Sequence, residues 1–320
     1  MNIDIMEVMK MAITATMVKE LRELSGAGMM DCKKALTETD GDFDKAIEFL
    51  REKGLATAQK KAGRIAAEGM VATVVSADNK VAAIVEVNSE TDFVAKNDKF
   101  QAYVAEVAAQ ALTSEAADID AFLAETWATD TTKTVNEALA GMIAVIGENM
   151  NIRRTSKVTA TEGFVSSYIH AGGKIGVLVE AKADAFNDKI AECLRNVAMQ
   201  VAALNPKYTS RAEVDQDYIE KETEILKVQA MNEKPDAKKQ IIDGMVKGRI
   251  NKELKEICLL DQVYVKAEDG KQTVAQYVAE VAKTNGIALE IKSFIRFETG
   301  EGIEKKSEDF AAEVAAQLGN

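Results

Sequence analysis

Val81-Ala82-Ala83-Ile84-Val85-Glu86-Val87 runs directly into Asn88-Ser89-Glu90-Thr91-Asp92-Phe93-Val94-Ala95-Lys96. The first seven residues carry the apolar, β-branched pattern of a strand. The polar stretch after them reads as a turn that sets an acid beside a large aromatic, Asp92 and Phe93. Asn97 or Asp98 then caps a helix. A phenylalanine in such a strand-to-helix loop has two fates: it folds back into the core, or it projects as a wedge into something else.

Sliding the chain on itself reveals a second copy of this unit. Glu68, Gly69, Val71, Ala77, Lys80, Val85 and Glu86 match Glu162, Gly163, Val165, Ala171, Lys174, Val179 and Glu180, each pair 94 positions apart. In both copies a strand meets a turn signal (Asp78-Asn79; Gly172-Gly173) that suits a two-residue hairpin, and a second strand and a helix follow. The helices read as Lys99–Leu112 and Asp188–Leu204. The copies part company at one place, where Glu90-Thr91-Asp92-Phe93 is answered by Asp184-Ala185-Phe186-Asn187. A turn that served only the fold would be better preserved between copies, which favours a functional role for Asp92-Phe93.

The expected fold class is α+β, with a duplicated two-part core and antiparallel sheets. Residues 1–10 carry three methionines and no pattern, and read as a disordered extension ahead of a second start at Met11. Residues 11–54 give three short helices: one capped by Thr16, one opened by Asp31 after an exposed Met29-Met30 turn, and one carried by Phe43, Ala46, Ile47 and Leu50 to Gly54. Residues 55–67 read as a linker helix. Core subdomain N takes 68–160, with Asp118–Thr132 helical around a buried Trp127 and Ile152–Val158 as a third strand. Core subdomain C takes 161–207 and 259–300, with Ala288–Phe297 completing its sheet. Between these parts, 208–258 forms a charged helical hairpin around a Pro235 turn, striped by Ile242, Val246, Ile250, Leu254 and Ile257. Residues 301–320 form a C-terminal helical module.

Composition removes several function classes. A net charge of −12 disfavours direct nucleic-acid binding, which needs a basic face. No apolar run is long enough to span a bilayer, and no signal peptide is recognisable. Three scattered cysteines without a C-x-x-C fit reduced, buried thiols and a cytoplasmic location. A single histidine, His170, forbids multi-histidine metal sites and removes the commonest acid–base group. There is no P-loop, nucleophile elbow or H-E-x-x-H, and nothing singles out two carboxylates among many. No catalytic residue, metal or cofactor is expected.

Two long motifs then point to a family. Leu21-Arg22-Glu23-Leu24-Ser25-Gly26-Ala27-Gly28-Met29-Met30-Asp31-Cys32-Lys33-Lys34-Ala35-Leu36 resembles the N-terminal signature of the elongation factor Ts family, and Glu86–Lys96 is similar to its second signature. The likeness continues through Ile146-Gly147-Glu148-Asn149, Ser167-Tyr168-Ile169-His170 and Phe294–Glu298. Ser25 stands where threonine is usual, and 112–133 and 259–276 are less familiar in length. The resemblance implies a guanine-nucleotide exchange factor that binds elongation factor Tu. It implies that Thr91, Asp92, Phe93 and Val94 form the loop that intrudes near the Mg²⁺ and phosphate site of that GTPase. It also implies partner contacts at Arg22, Met29 and Met30 on the three-helix domain and at His170 on the core, and a dimerising role for the hairpin. The competing reading is a binding scaffold or nascent-chain chaperone without exchange activity, since the N-terminal bundle is UBA-like.

Overall fold

The structure is a computed structural model and describes residues 12–304. The expected extension at 1–10 and the expected helix at Ser307–Leu318 lie outside the described residues. The fold is α+β. It divides into two compact units, the first containing 12–70, 86–154 and 299–304 of the described residues and the second 71–85 and 155–298.

In the first unit, helices α1 (Ala15–Ser25), α2 (Met29–Glu38) and α3 (Phe43–Lys61) form the N-terminal bundle. Thr14, two residues earlier than expected, caps α1 by accepting the Met17 N–H at 3.2 Å. Gly26 ends α1 in the left-handed conformation at φ 68°. Met29 and Met30 lie inside the first turn of α2, not in the loop before it. Val18, Leu21, Cys32, Ala35, Leu36 and Ala46 make the small core.

The third helix passes through Gly54 without a break to Lys61, so the expected stop at Gly54 is absent. Gly54 packs near Ala140 and Ala144, where a methyl group would rest 3.5 Å from the Ala140 carbonyl oxygen, an ordinary contact. Because glycine costs a helix interior roughly 0.5–1 kcal/mol relative to alanine, Gly54→Ala is expected to raise the unfolding free energy by about that amount. A denaturant melt checks it; a fall would mean the contact is tighter than it looks.

Strands β1 (Glu68–Val75), β2 (Val81–Ser89) and β3 (Met150–Thr159) form one three-stranded sheet in the order β1-β2-β3. Between β2 and β3 come α4 (Asp92–Ala95), α5 (Asp98–Thr113), α6 (Ile119–Ala124) and α7 (Val135–Ile146). The helix expected over Asp118–Thr132 is therefore much shorter. Thr126 bridges to Thr134, and the Asp130 carboxylate takes the Thr132 N–H and hydroxyl. Such side chains offer the backbone a turn in place of a helix. Trp127 is buried as expected and lies 5.8 Å from the Tyr103 ring.

In the second unit, β4 (Gly163–His170), β5 (Ile175–Ala183) and β6 (Leu289–Glu298) form an antiparallel sheet in the order β4-β5-β6. Strand alternation buries both faces of β5. Val177 and Val179 face α8 (Asp188–Leu204) and α11 (Val274–Asn285), while Leu178 joins Val71, Ile84, Val165 and Phe297 in a separate cluster. The turns before β2 and β5 are longer than two residues. In the first, the Ser76 hydroxyl takes the Lys80 and Val81 N–H groups and Asn79 sits at φ 57°. The hairpin helices α9 (Gln216–Glu233) and α10 (Lys239–Ile257) seal on each other through Ala230, Ile242 and Val246. Ile250, Leu254 and Ile257 of the expected stripe are only half-buried.

The duplication is visible in backbone contacts. A side chain at Gly69 would lie 2.2 Å from the Val87 carbonyl oxygen, and one at Gly163 would lie 1.9 Å from the Ala181 carbonyl oxygen. Only glycine permits so close a strand crossing, and each partner is again 94 residues on. At the caps of the following helices, Asn97 and Asn187, the offset has fallen to 90. The first copy thus carries four extra residues, the length of α4 (Asp92–Ala95).

Candidate partner-binding site

Helix α4 begins where β2 ends. Thr91 is extended at φ −125°, ψ 156° and enters the helix; the Lys96 N–H bonds back to the Phe93 carbonyl at 3.2 Å and the Asn97 N–H to that of Val94 at 2.9 Å. One turn of helix cannot hold itself together in water, so its stability comes from what it touches. Val94 is its buried residue, 8% exposed. The Gln101 amide donates to the Ala95 carbonyl at 3.1 Å.

Upstream, the Thr91 N–H and hydroxyl donate to the two oxygens of Glu148 at 3.0 and 2.7 Å. Glu90 accepts the Asn149 N–H at 2.5 Å and pairs with Arg64 at 3.5 Å, while the Asn149 amide donates to the Arg64 carbonyl at 2.7 Å. Asn149 is buried.

On this anchored turn Phe93 is 78% exposed, whereas Phe100 and Phe122 are almost fully buried. That decides between the two fates of the aromatic: it projects. Asp92 pairs with Lys96 one turn on, at 2.7 Å, and the same ammonium sits 5.9 Å from the centre of the Phe93 ring. An exposed pair of this kind contributes little to stability. The arrangement thus presents an aromatic ring, an acid and a base side by side on a firm base. Among the described residues no cluster could hold a metal ion.

The other expected residues are also at the surface but on other elements. Arg22 is exposed at the end of α1, and Met29 and Met30 open α2 at 57% and 72% exposure, with Leu24 exposed beside them in sequence. All of these share a unit with Phe93. His170 belongs to the second unit, exposed at the end of β4, with its Nδ1 3.0 Å from the Tyr168 hydroxyl. Sequence reasoning did not assign Glu90, Glu148, Asn149 or Arg64 to the site. Glu148 is 57 residues from Thr91, and no local pattern announces that pairing.

The model of the family described as "Elongation factor TS" matches residues 90–301, more than half of the chain. An elongation factor Ts of Clostridium botulinum (strain Eklund 17B / Type B) is 54% identical over 308 residues, covering 96% of this chain and 99% of that protein. That of Clostridioides difficile (strain 630) is 55% identical over 306 residues with the same coverage, and that of Clostridium tetani (strain Massachusetts / E88) is 52% identical over 307. With a family match over most of its length and relatives above half identity, this chain belongs to the elongation factor Ts family.

Proposed function

We propose that the chain binds elongation factor Tu in its GDP-bound and nucleotide-free forms and promotes GDP release by disturbing the Mg²⁺ and phosphate site. The observation that carries this reading is the exposed Phe93 on a turn anchored at both ends. Exchange needs no bond making. By linkage, a partner that prefers the nucleotide-free GTPase weakens nucleotide binding by the same factor by which nucleotide weakens its own. A ring driven into a packed switch region favours that state, because packed cores have discrete arrangements and do not deform continuously. Asp92 would add charge where metal and phosphate contacts rearrange. Arg22, Met29, Met30 and His170 would supply further contact area on other elements, and the acidic surface directs the chain to protein, not nucleic acid.

Stopped-flow release of fluorescent GDP from elongation factor Tu, with and without this protein, tests the proposal. Acceleration supports it. Binding without acceleration would favour the scaffold reading, for which the exposed Leu24, Met29 and Met30 supply a surface. The hairpin exposes Ile225, Val228, Met231 and Ile241, and we propose it as the homodimer contact. Light scattering on a sized column decides that point. A cytoplasmic location accords with this role and with three free, buried cysteines.

A further inference from the structure

The exposed ring of Phe93 is useful only if its direction is fixed, and α4 is too short to fix it alone. The contacts that do so form a reciprocal exchange of carboxylates. Glu148, from the turn after α7, accepts the N–H and hydroxyl of Thr91 at 3.0 and 2.7 Å. Glu90, from the end of β2, accepts the N–H of Asn149 at 2.5 Å. Each segment therefore supplies a carboxylate to a backbone N–H of the other, and charge-assisted bonds of this kind are the stronger class. Glu148 also does for α4 what the N3 carboxylate does in a capping box, accepting the N–H of the N-cap residue Thr91, whose hydroxyl makes no cap bond within its own helix and is turned to the carboxylate. The clamp is seated on the N-terminal bundle: Lys61 of α3 donates to the Gly147 carbonyl, and Arg64 just beyond α3 meets both Glu90 and Asn149.

We infer that Glu148 is a positioning residue for exchange, setting the aim of Phe93 through Thr91 without contact to the partner being required. The inference rests on the wedge reading proposed above. It predicts a defect in the rate of the exchange step more than in affinity, since the binding surfaces at Arg22, Met29, Met30 and His170 lie on other elements.

The test uses the full chain with Glu148→Ala, Glu148→Gln and Phe93→Ala. Stimulated GDP release is measured as a function of exchange-factor concentration, and amide hydrogen exchange at Thr91 is followed by NMR. Glu148→Ala is expected to lower the maximal rate roughly tenfold, the order expected for losing two charge-assisted bonds in part. The half-saturating concentration should stay within about threefold and Thr91 exchange should rise at least about tenfold. Glu148→Gln keeps an acceptor for the N–H and a donor for the hydroxyl oxygen, and should restore most of both. A normal maximal rate in Glu148→Ala alongside a slow Phe93→Ala overturns the clamp alone. So does a slow Glu148→Ala whose Thr91 amide is protected as in the wild type. So does a Glu148→Gln no better than alanine. A normal rate in Phe93→Ala instead overturns the wedge reading itself.

Discussion

Phe93→Ala is expected to slow stimulated GDP release from elongation factor Tu by roughly thirtyfold or more, while leaving the melting temperature within about a degree. The first magnitude is that of an interface hot spot worth about 2 kcal/mol or above, expressed in the transition state. The second follows because a ring 78% exposed contributes almost nothing to the isolated fold. Asp92→Ala should slow release less, because the Asp92–Lys96 pair is exposed and its loss frees Lys96 without unseating Val94. A double variant that is folded and still accelerates release at the wild-type rate would remove Asp92 and Phe93 from the mechanism.

The largest stability effect is expected at Glu86. This β2 carboxylate is fully buried, with one oxygen accepting the Gly300 N–H at 2.8 Å, the Asn88 amide at 3.0 Å and Arg153 at 3.1 Å. The other takes Arg154 Nε at 2.5 Å. Burial pushes the carboxyl upward, but the Gly300 N–H, the Asn88 amide and Arg154 outweigh it and hold it below the ordinary value of 4.5. Removing one member of a buried pair leaves charge uncompensated, so Glu86→Gln should cost about 3 kcal/mol. A carboxyl lowered in the folded state stabilises above its unfolded pKa. That contribution fades as pH falls through the folded value, because the unfolded chain then binds more protons. The stability gap between wild type and Glu86→Gln, from urea melts, should therefore be full near about pH 6 and shrink towards about pH 3. A gap that does not change with pH would show that Glu86 acts by shape and not by charge.

Glu86 also shows what could be read from the chain alone. Its place on a strand was legible from the apolar, β-branched run around it, and the helices of the bundle, the charged helices α9 and α10 and both sheets likewise leave local patterns. The position of the Asp92-Phe93 turn was legible too. Its exposure was not: a phenylalanine at a loop mouth is compatible with either fate, and only the fixing of Val94 and Thr91 from elsewhere settles it. The clamp partners Glu148 and Asn149 were hidden for the same reason, being joined to the site by tertiary contact and not by spacing. Gly54 misled because glycine usually interrupts a helix, whereas here the helix runs on through it, at a site with room for a methyl group. Asp118–Thr132 misled in the other direction, because Asp130 and Thr132 spend their side chains on a turn.

The shift of register between the two copies, from 94 to 90 residues, has a bearing on how such a protein can be altered. The second copy closes strand to helix through Asp184-Ala185-Phe186 alone, so the architecture does not need α4. On the wedge reading proposed above, the working part is a cassette set into a scaffold whose second copy does without it. Replacing residues 90–96 with the three-residue link of the second copy should give a folded chain that still engages its partner through other elements yet fails to release nucleotide. In a mixture with the wild type such a chain would compete for the GTPase and act as a dominant inhibitor, separating occupancy from turnover in a single substitution of one loop.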